Sequence, residues 1–364
     1  MIHKDLQSQT IATLRFPLIV GVVLIHAHMT DIIIGGKNVF SQLDFPIYSF
    51  VATLLSEVLA RIAVPLFFIL SGFLFFYHTT FNRMVYAAKL RKRARSILLP
   101  YLIWNLIVIG LFFLAQNLLP SLMSGVNKPI IDYTLKEWIE AFWAKQSADP
   151  SSGNMPINYP LWFIRDLMVV MLLSPIIYLL VKHLKFIGVM LLGTLWLSGI
   201  SSGIPGLSTT ALFFFSVGAV FSVHNLNMVE SLYPLRKAAT ISYVALVICD
   251  LLTLNMIGHS YIHNLGIIAG CTCMITLTAW GLQKGMWHIK DWLAGCSFFI
   301  FAFHGMPLAL IIKVCIKFIP IHHEAIAIAI YLGSTILVIV LAIMLYLFMR
   351  RYLPRLLAIL TGGR

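Results

Sequence analysis

Apolar runs of about twenty residues recur from one end of this chain to the other, and that recurrence dictates the class of fold. A helix of that length covers roughly 30 Å, the thickness of a bilayer's hydrocarbon core. In that solvent every backbone N–H and C=O must be satisfied internally, which leaves helices or closed barrels. Leu, Ile and Phe dominate the runs and alternation is weak, which argues against a barrel. The expected spans are 13–34, 51–77, 96–117, 160–181, 186–200, 209–224, 238–257, 264–283, 293–315 and 325–348. The fold class read from them is all-α, a polytopic membrane protein of about ten transmembrane helices. Only 11% of the residues are charged, against about 25% in a soluble chain.

A net charge of +13 raises the question of nucleic acid, and the distribution of charge answers it. With the N-terminus in the cytoplasm, 17 of the 26 Lys and Arg fall on that side. They are Lys4, the run from Arg83 to Arg95, Lys182, Lys185, Arg236, Lys237, Lys284, Lys290 and the arginines from Arg350 onward. This excess is the positive-inside pattern of ten helices with both termini cytoplasmic, and no nucleic-acid partner is needed to explain it. No small-residue cleavage site follows His28 and Met29, so the first span reads as a retained helix rather than a signal peptide. Cys249, Cys271, Cys273, Cys296 and Cys315 all fall in expected helices and read as buried, reduced thiols.

Residues 1–364 read as a single membrane-embedded domain with no separate soluble domain. The longest extramembrane piece runs from about Leu118 to Asn158. It offers a short amphipathic helix at 134–145, then the breaker-rich run from Asp149 to Asn154. Gly199 to Pro205 interrupt the short span before them, as happens where backbone lines a cavity.

Ionisable residues inside spans are costly and point to chemistry. Arg15 and His26 stand eleven apart in the first span. A helix places them roughly 16 Å apart and within about 20° of one face. His26 is a candidate general base, or alternatively a packing histidine bonded to a neighbouring helix. Arg15 suits bidentate binding of a phosphate, or anchors the helix by snorkelling. Glu57 and Arg61 have the i, i+4 spacing of a helical ion pair. Lys89-Leu90-Arg91-Lys92-Arg93-Ala94-Arg95 can attract anionic lipid headgroups, hold the phosphates of a cytosolic cofactor, or simply set topology. Trp162 fits an interfacial belt, and Arg165 and Asp166 lie one turn inside the fourth span. His304 either joins His26 or caps a cavity. His259, His263, His322 and His323 fall in short outer loops with no inward-facing carboxylate set, so no metal is expected.

Taken in order, these pieces resemble the acyltransferase 3 family of integral membrane acyltransferases. The matching residues are Arg15 and His26; Arg61, Val64-Pro65-Leu66-Phe67-Phe68 and Ser71-Gly72-Phe73; and the basic run leading to Leu99-Pro100-Tyr101. Leu161-Trp162-Phe163, Arg165-Asp166-Leu167 and Phe303-His304 complete the set. The resemblance implies ten helices and transfer of an acyl group, commonly acetyl from cytosolic acetyl-CoA, to a carbohydrate hydroxyl. It puts the catalytic histidine on His26 and the family's arginine of that helix on Arg15. Cofactor phosphates are expected near Arg93, Arg95 and Arg91. At the family's paired-arginine position Arg93 matches, while Ser96 stands three residues on with Arg95 beside it. The glutamate with which some members orient their histidine has no counterpart near Arg350-Arg351-Tyr352-Leu353-Pro354. Glu57, Arg61, Trp162, Arg165, Asp166 and His304 are the substrate or orienting candidates.

The expected acceptor is a cell-surface polysaccharide or a lipid-linked precursor, in the plasma membrane and by family habit a bacterial inner membrane. Two rival functions make no bond. One is an exporter or flippase whose path is lined by Arg15, Arg61 and Arg165, and the other is a scaffold for glycan assembly.

Overall fold

The computed structural model describes residues 2–30, 32–34, 37–38, 44–123, 127–145, 154–287 and 291–363. Helices make up nearly all of it. In chain order they are α1 (Ile2–His26), α2 (Pro46–Ala52), α3 (Ala63–Phe76), α4 (Arg83–Arg93), α5 (Leu99–Leu118), α6 (Leu135–Trp143), α7 (Trp162–Leu172) and α8 (Ser174–Leu197). They continue with α9 (Thr209–Val223), α10 (Met228–Leu232), α11 (Arg236–Leu252), α12 (His259–Gln283), α13 (Asp291–Phe303), α14 (Gly305–Phe318), α15 (Glu324–Tyr352) and α16 (Pro354–Thr361). One small antiparallel hairpin, β1 (Ile33–Ile34) with β2 (Lys37–Asn38), sets Ile33 opposite Asn38.

Among the described residues, six helical stretches are long and apolar enough to cross a membrane. They are Leu6–His26, Pro46–Phe76, Arg83–Leu118, Ser174–Leu197, His259–Gln283 and Glu324–Tyr352. Two bent pairs raise the number to eight: α9 with the stretch Met228–Leu252, at 110°, and α13 with α14, at 67°. The sequence expectation of about ten counts each apolar run separately, whereas these stretches follow the helices. Pro175, just inside α8, cannot continue the ladder from α7, which stops after 11 residues. Lys185, at φ 51°, breaks α8 where the expected 160–181 and 186–200 segments would meet. The interruption at Gly199–Pro205 is an exposed loop rather than cavity-lining backbone, for Gly199 and Gly203 have open space around them. Cys271, Cys273 and Cys296 are buried free thiols as expected, but Cys249 is exposed.

The amphipathic segment forms α6, opened by a capping box in which the Thr134 hydroxyl accepts from the Glu137 amide and Glu137 accepts from the Thr134 amide. Hydrogen bonds from Lys128 and then from Thr134 pull the Glu137 carboxyl down to about 2. A depressed folded value means that the cap is at full strength above the ordinary carboxylate range. It is lost only as pH falls through about 2. Most of the breaker run, 146–153, lies outside the described residues.

The chain divides into two compact units. Unit 1 comprises Met1–Val22, Glu57–Lys92 and Asp166–Ser297; unit 2 comprises Val23–Ser56, Arg93–Arg165 and Phe298–Arg364. In unit 1, α3 packs along α9 and α11 along α12. The α3–α9 contact is made backbone to backbone. A Cβ on Gly72 would overlap the Phe215 carbonyl, and one on Gly218 would overlap the Ile69 carbonyl. Small residues let two helices approach this closely where hydrocarbon supplies no hydrophobic drive. The Ser222 hydroxyl crosses the same contact and donates to the Phe73 carbonyl at 2.6 Å. In unit 2, α15 packs against α2, α14 and α16, and α16 also packs against α5. The Trp104 indole donates to the Leu360 carbonyl at 3.0 Å and sets its ring edge against Phe299.

Gly72→Ala and Gly218→Ala should each destabilise the protein by about 1–3 kcal/mol through overpacking. Gly333→Ala, in α15 with nothing near its would-be Cβ, should instead gain roughly 0.5–1 kcal/mol of helix stability. Thermal unfolding of the purified variants in detergent reads the opposite signs.

Candidate active site

Three segments of unit 2, far apart in sequence, bring His26, Tyr159 and His304 together. His26 is the last residue of α1. Its ring meets the Tyr159 ring edge-on at 4.8 Å and stacks on the His304 ring at 5.4 Å, 29° from parallel.

The end of α1 is fixed by bonds to groups that a frayed helix end would leave open. The Leu24 carbonyl accepts from the Ala27 amide at 3.1 Å and from the Ser56 hydroxyl at 2.6 Å. Since Ser56 spends its one proton there, the Tyr331 hydroxyl at 2.7 Å donates to Ser56. Ser56 and Tyr331 are both fully buried. Past the helix, the Met29 amide donates to the Tyr48 hydroxyl at 3.0 Å, and the Tyr48 amide donates to Glu324 Oε2 at 2.9 Å.

His304 stands at the corner between α13 and α14 and is fully buried. Its Nδ1 lies 3.1 Å from the Ile300 carbonyl, which can only accept, so Nδ1 carries the proton. Nε2 therefore presents a lone pair, and it has no hydrogen-bond partner among the described residues. Asn158 ties Tyr159 to this corner. Its side-chain amide donates to the Ala302 carbonyl at 3.0 Å, and its backbone amide donates to Asn105 Oδ1 at 3.2 Å. Gly305 allows the closeness, because a Cβ there would press on Pro160 at 3.0 Å. Burial drives the Tyr159 hydroxyl well above the usual phenol range, so it stays protonated. Two imidazoles, one with a vacant acceptor, and a phenol thus converge on one half-buried spot, a set of groups able to move a proton from a hydroxyl. By contrast, an apolar cavity in unit 1, lined by Ile69, Phe186, Val189, Phe213 and Phe221, offers only Cys271 and Thr272 as polar neighbours.

An acyltransferase domain profile matches residues 10–347. The chain belongs to the acyltransferase 3 family. It is also similar to the succinoglycan biosynthesis protein ExoH of Rhizobium meliloti (strain 1021), at 28% identity over 98% of this chain and 92% of the relative. No solved structure matches it. A multi-pass membrane acyltransferase is the class these findings establish, in agreement with the sequence resemblance.

For this family member, the remaining sequence candidates divide by what they touch. Arg15 lies on α1 with His26 and is exposed. Arg61 Nε donates to Glu57 Oε2 at 2.9 Å, an i, i+4 ion pair within unit 1. Arg165 is buried, and its Nη1 donates to the Trp143 and Asn154 carbonyls at 2.7 Å each. It thereby holds the two ends of the extramembrane loop. Trp162 opens α7, and Asp166 is buried one turn in. Arg91 and Arg95 are exposed and Arg93 half-buried, on the helical stretch that runs from α4 into α5. Tyr159, Asn158, Asn105 and Ser56 were missed in the sequence. Asn105, a lone amide in an apolar helix, was the readable signal among them.

Ser56→Ala and Tyr331→Phe should each cost about 1–3 kcal/mol by stranding a buried polar group. The double variant should cost less than their sum, because each single change already breaks the Ser56–Tyr331 hydrogen bond. A thermal-unfolding cycle of the four proteins in detergent measures this coupling.

Proposed function

We propose that this acyltransferase moves an acetyl group from cytosolic acetyl-CoA to a hydroxyl of a cell-surface polysaccharide or lipid-linked sugar precursor. His26 is the general base. The observation that carries this reading is the stack of half-buried His26 on buried His304, whose Nε2 holds a lone pair with no partner among the described residues. The name of the Rhizobium relative, a succinoglycan biosynthesis protein, supports a carbohydrate acceptor.

In the reaction, His26 takes the proton of the acceptor hydroxyl as its oxygen attacks the thioester carbonyl. The tetrahedral intermediate collapses, the carbon–sulfur bond breaks, and the coenzyme A thiolate recovers the proton from the imidazolium. His304 Nε2 accepts a hydrogen bond from the incoming sugar and fixes its orientation. Arg93, Arg95 and Arg91 hold the donor's phosphates at the cytoplasmic surface, with Arg15 on the His26 helix as a further cation. This assignment keeps both termini in the cytoplasm and about ten membrane crossings, in a bacterial inner membrane.

Arg61 and Arg165 support transfer over export. Each is bonded to a protein group, so neither offers a free cation along a path.

The test is transfer of label from acetyl-labelled coenzyme A into the glycan or glycolipid fraction of membranes containing the protein. His26→Ala should lower the initial rate by about 10²–10⁴-fold at equal expression. Equal rates for the two proteins overturn the histidine assignment. Label that enters only from succinyl-coenzyme A replaces the donor and leaves the base in place.

A further inference from the structure

We propose that Asp250, His259 and His263 form a binding site for a first-row divalent metal ion of the zinc class, separate from the acyl-transfer site. All three belong to unit 1. Asp250 lies in the last turn of α11, while His259 and His263 lie in the first turns of α12. The i, i+4 spacing puts both imidazoles on one face of α12. Gly258, at φ +88°, supplies the left-handed turn that starts α12 and directs that face back at α11.

The distances suit a metal. His263 Nδ1 lies 2.9 Å from Asp250 Oδ2, and His259 Nδ1 lies 3.3 Å from Asp250 Oδ1. Nitrogen and oxygen ligands about 2.0–2.1 Å from a tetrahedral zinc stand roughly 3.3 Å apart, which the His259 separation matches. The His263 pair, on the other carboxylate oxygen, is at hydrogen-bond distance, so a small rotation of the carboxylate lets one oxygen serve both imidazoles. One donor atom from each of the three residues lies within 4.8 Å of the other two. Two imidazoles and a carboxylate are a common ligand set for such ions, with water in the fourth position. The half-exposed histidines leave that position open.

The second observation is the carboxylate itself. Asp250 is only 3% exposed, and its Oδ1 has no hydrogen-bond partner among the described residues. The 3.3 Å approach of His259 is too poorly directed to serve as one. A buried carboxylate oxygen that faces the His259 imidazole with no well-directed donor, beside a second oxygen bonded to His263, is costly as it stands. A cation among the three atoms resolves the cost.

The full-length chain, purified in detergent with its tag removed, is stripped with chelator and exposed to Zn²⁺. Retained metal is measured by elemental mass spectrometry and affinity by competition with a chromogenic chelator. The wild type should retain one equivalent and unfold at a higher temperature with Zn²⁺ than without. Asp250→Asn and His263→Gln should each weaken binding by more than the roughly 10–100-fold that loss of an outer-shell partner costs. His322→Gln, an exposed histidine elsewhere, should leave it unchanged. A wild type that retains no zinc and shows no thermal shift overturns the proposal. So does retention by Asp250→Asn or His263→Gln equal to that of the wild type.

Discussion

A helix that ends among apolar side chains must find partners for its last carbonyls, and α1 depends on this more than any other element. Its final residue is His26, so whatever satisfies that end also aims the imidazole. Ser56, Tyr331 and Tyr48 do so from two other helices. An unmet backbone group in such surroundings costs several kcal/mol. The bonds that close the helix are therefore stiff, and the histidine inherits that stiffness. Preorganisation of this kind is what a base needs if it is to meet a hydroxyl without first rearranging.

Charge is handled by the same economy. Arg61 is neutralised by Glu57 one turn earlier, and Arg165 is committed to two carbonyls of an extramembrane loop. The cations left at the surface are concentrated on the stretch from Arg83 to Arg95. There Arg91 and Arg95 are exposed, with Arg93 half-buried between them, as the proposed binding of an anionic donor requires. The unit 1 helices need no charge to associate, because Gly72 and Gly218 let carbonyls and Cα atoms touch.

Much of this was legible in the sequence, for identifiable reasons. Apolar runs are a one-dimensional signal, so the helical class and the placement of α1, α5, α12 and α15 could be read directly. His26 and His304 stood out because an ionisable residue is rare in such runs. The expected boundary between 181 and 186 coincides with the break at Lys185, whereas the division of the 160–181 segment at Pro175 did not register in hydropathy. Tyr159 and Asn158 were illegible because nothing local links 158–159 to 26 or 304. Only the fold closes those separations. Asp250 escaped for a related reason. Its distance from His259 and His263 in sequence is short, but the turn at Gly258 decides that they face one another.

The 67° bend at His304 costs the helical ladder at least one rung, because Pro307 has no N–H to offer the Phe303 carbonyl. The His304 amide still donates to the Ile300 carbonyl at 3.0 Å, and its own carbonyl still accepts from the Leu308 amide at 2.9 Å. Backbone bonds nonetheless hold His304 itself from both helices of the corner. Its imidazole therefore works as a datum point. On the reading proposed above, sugar and donor come to a histidine that its own backbone holds in place.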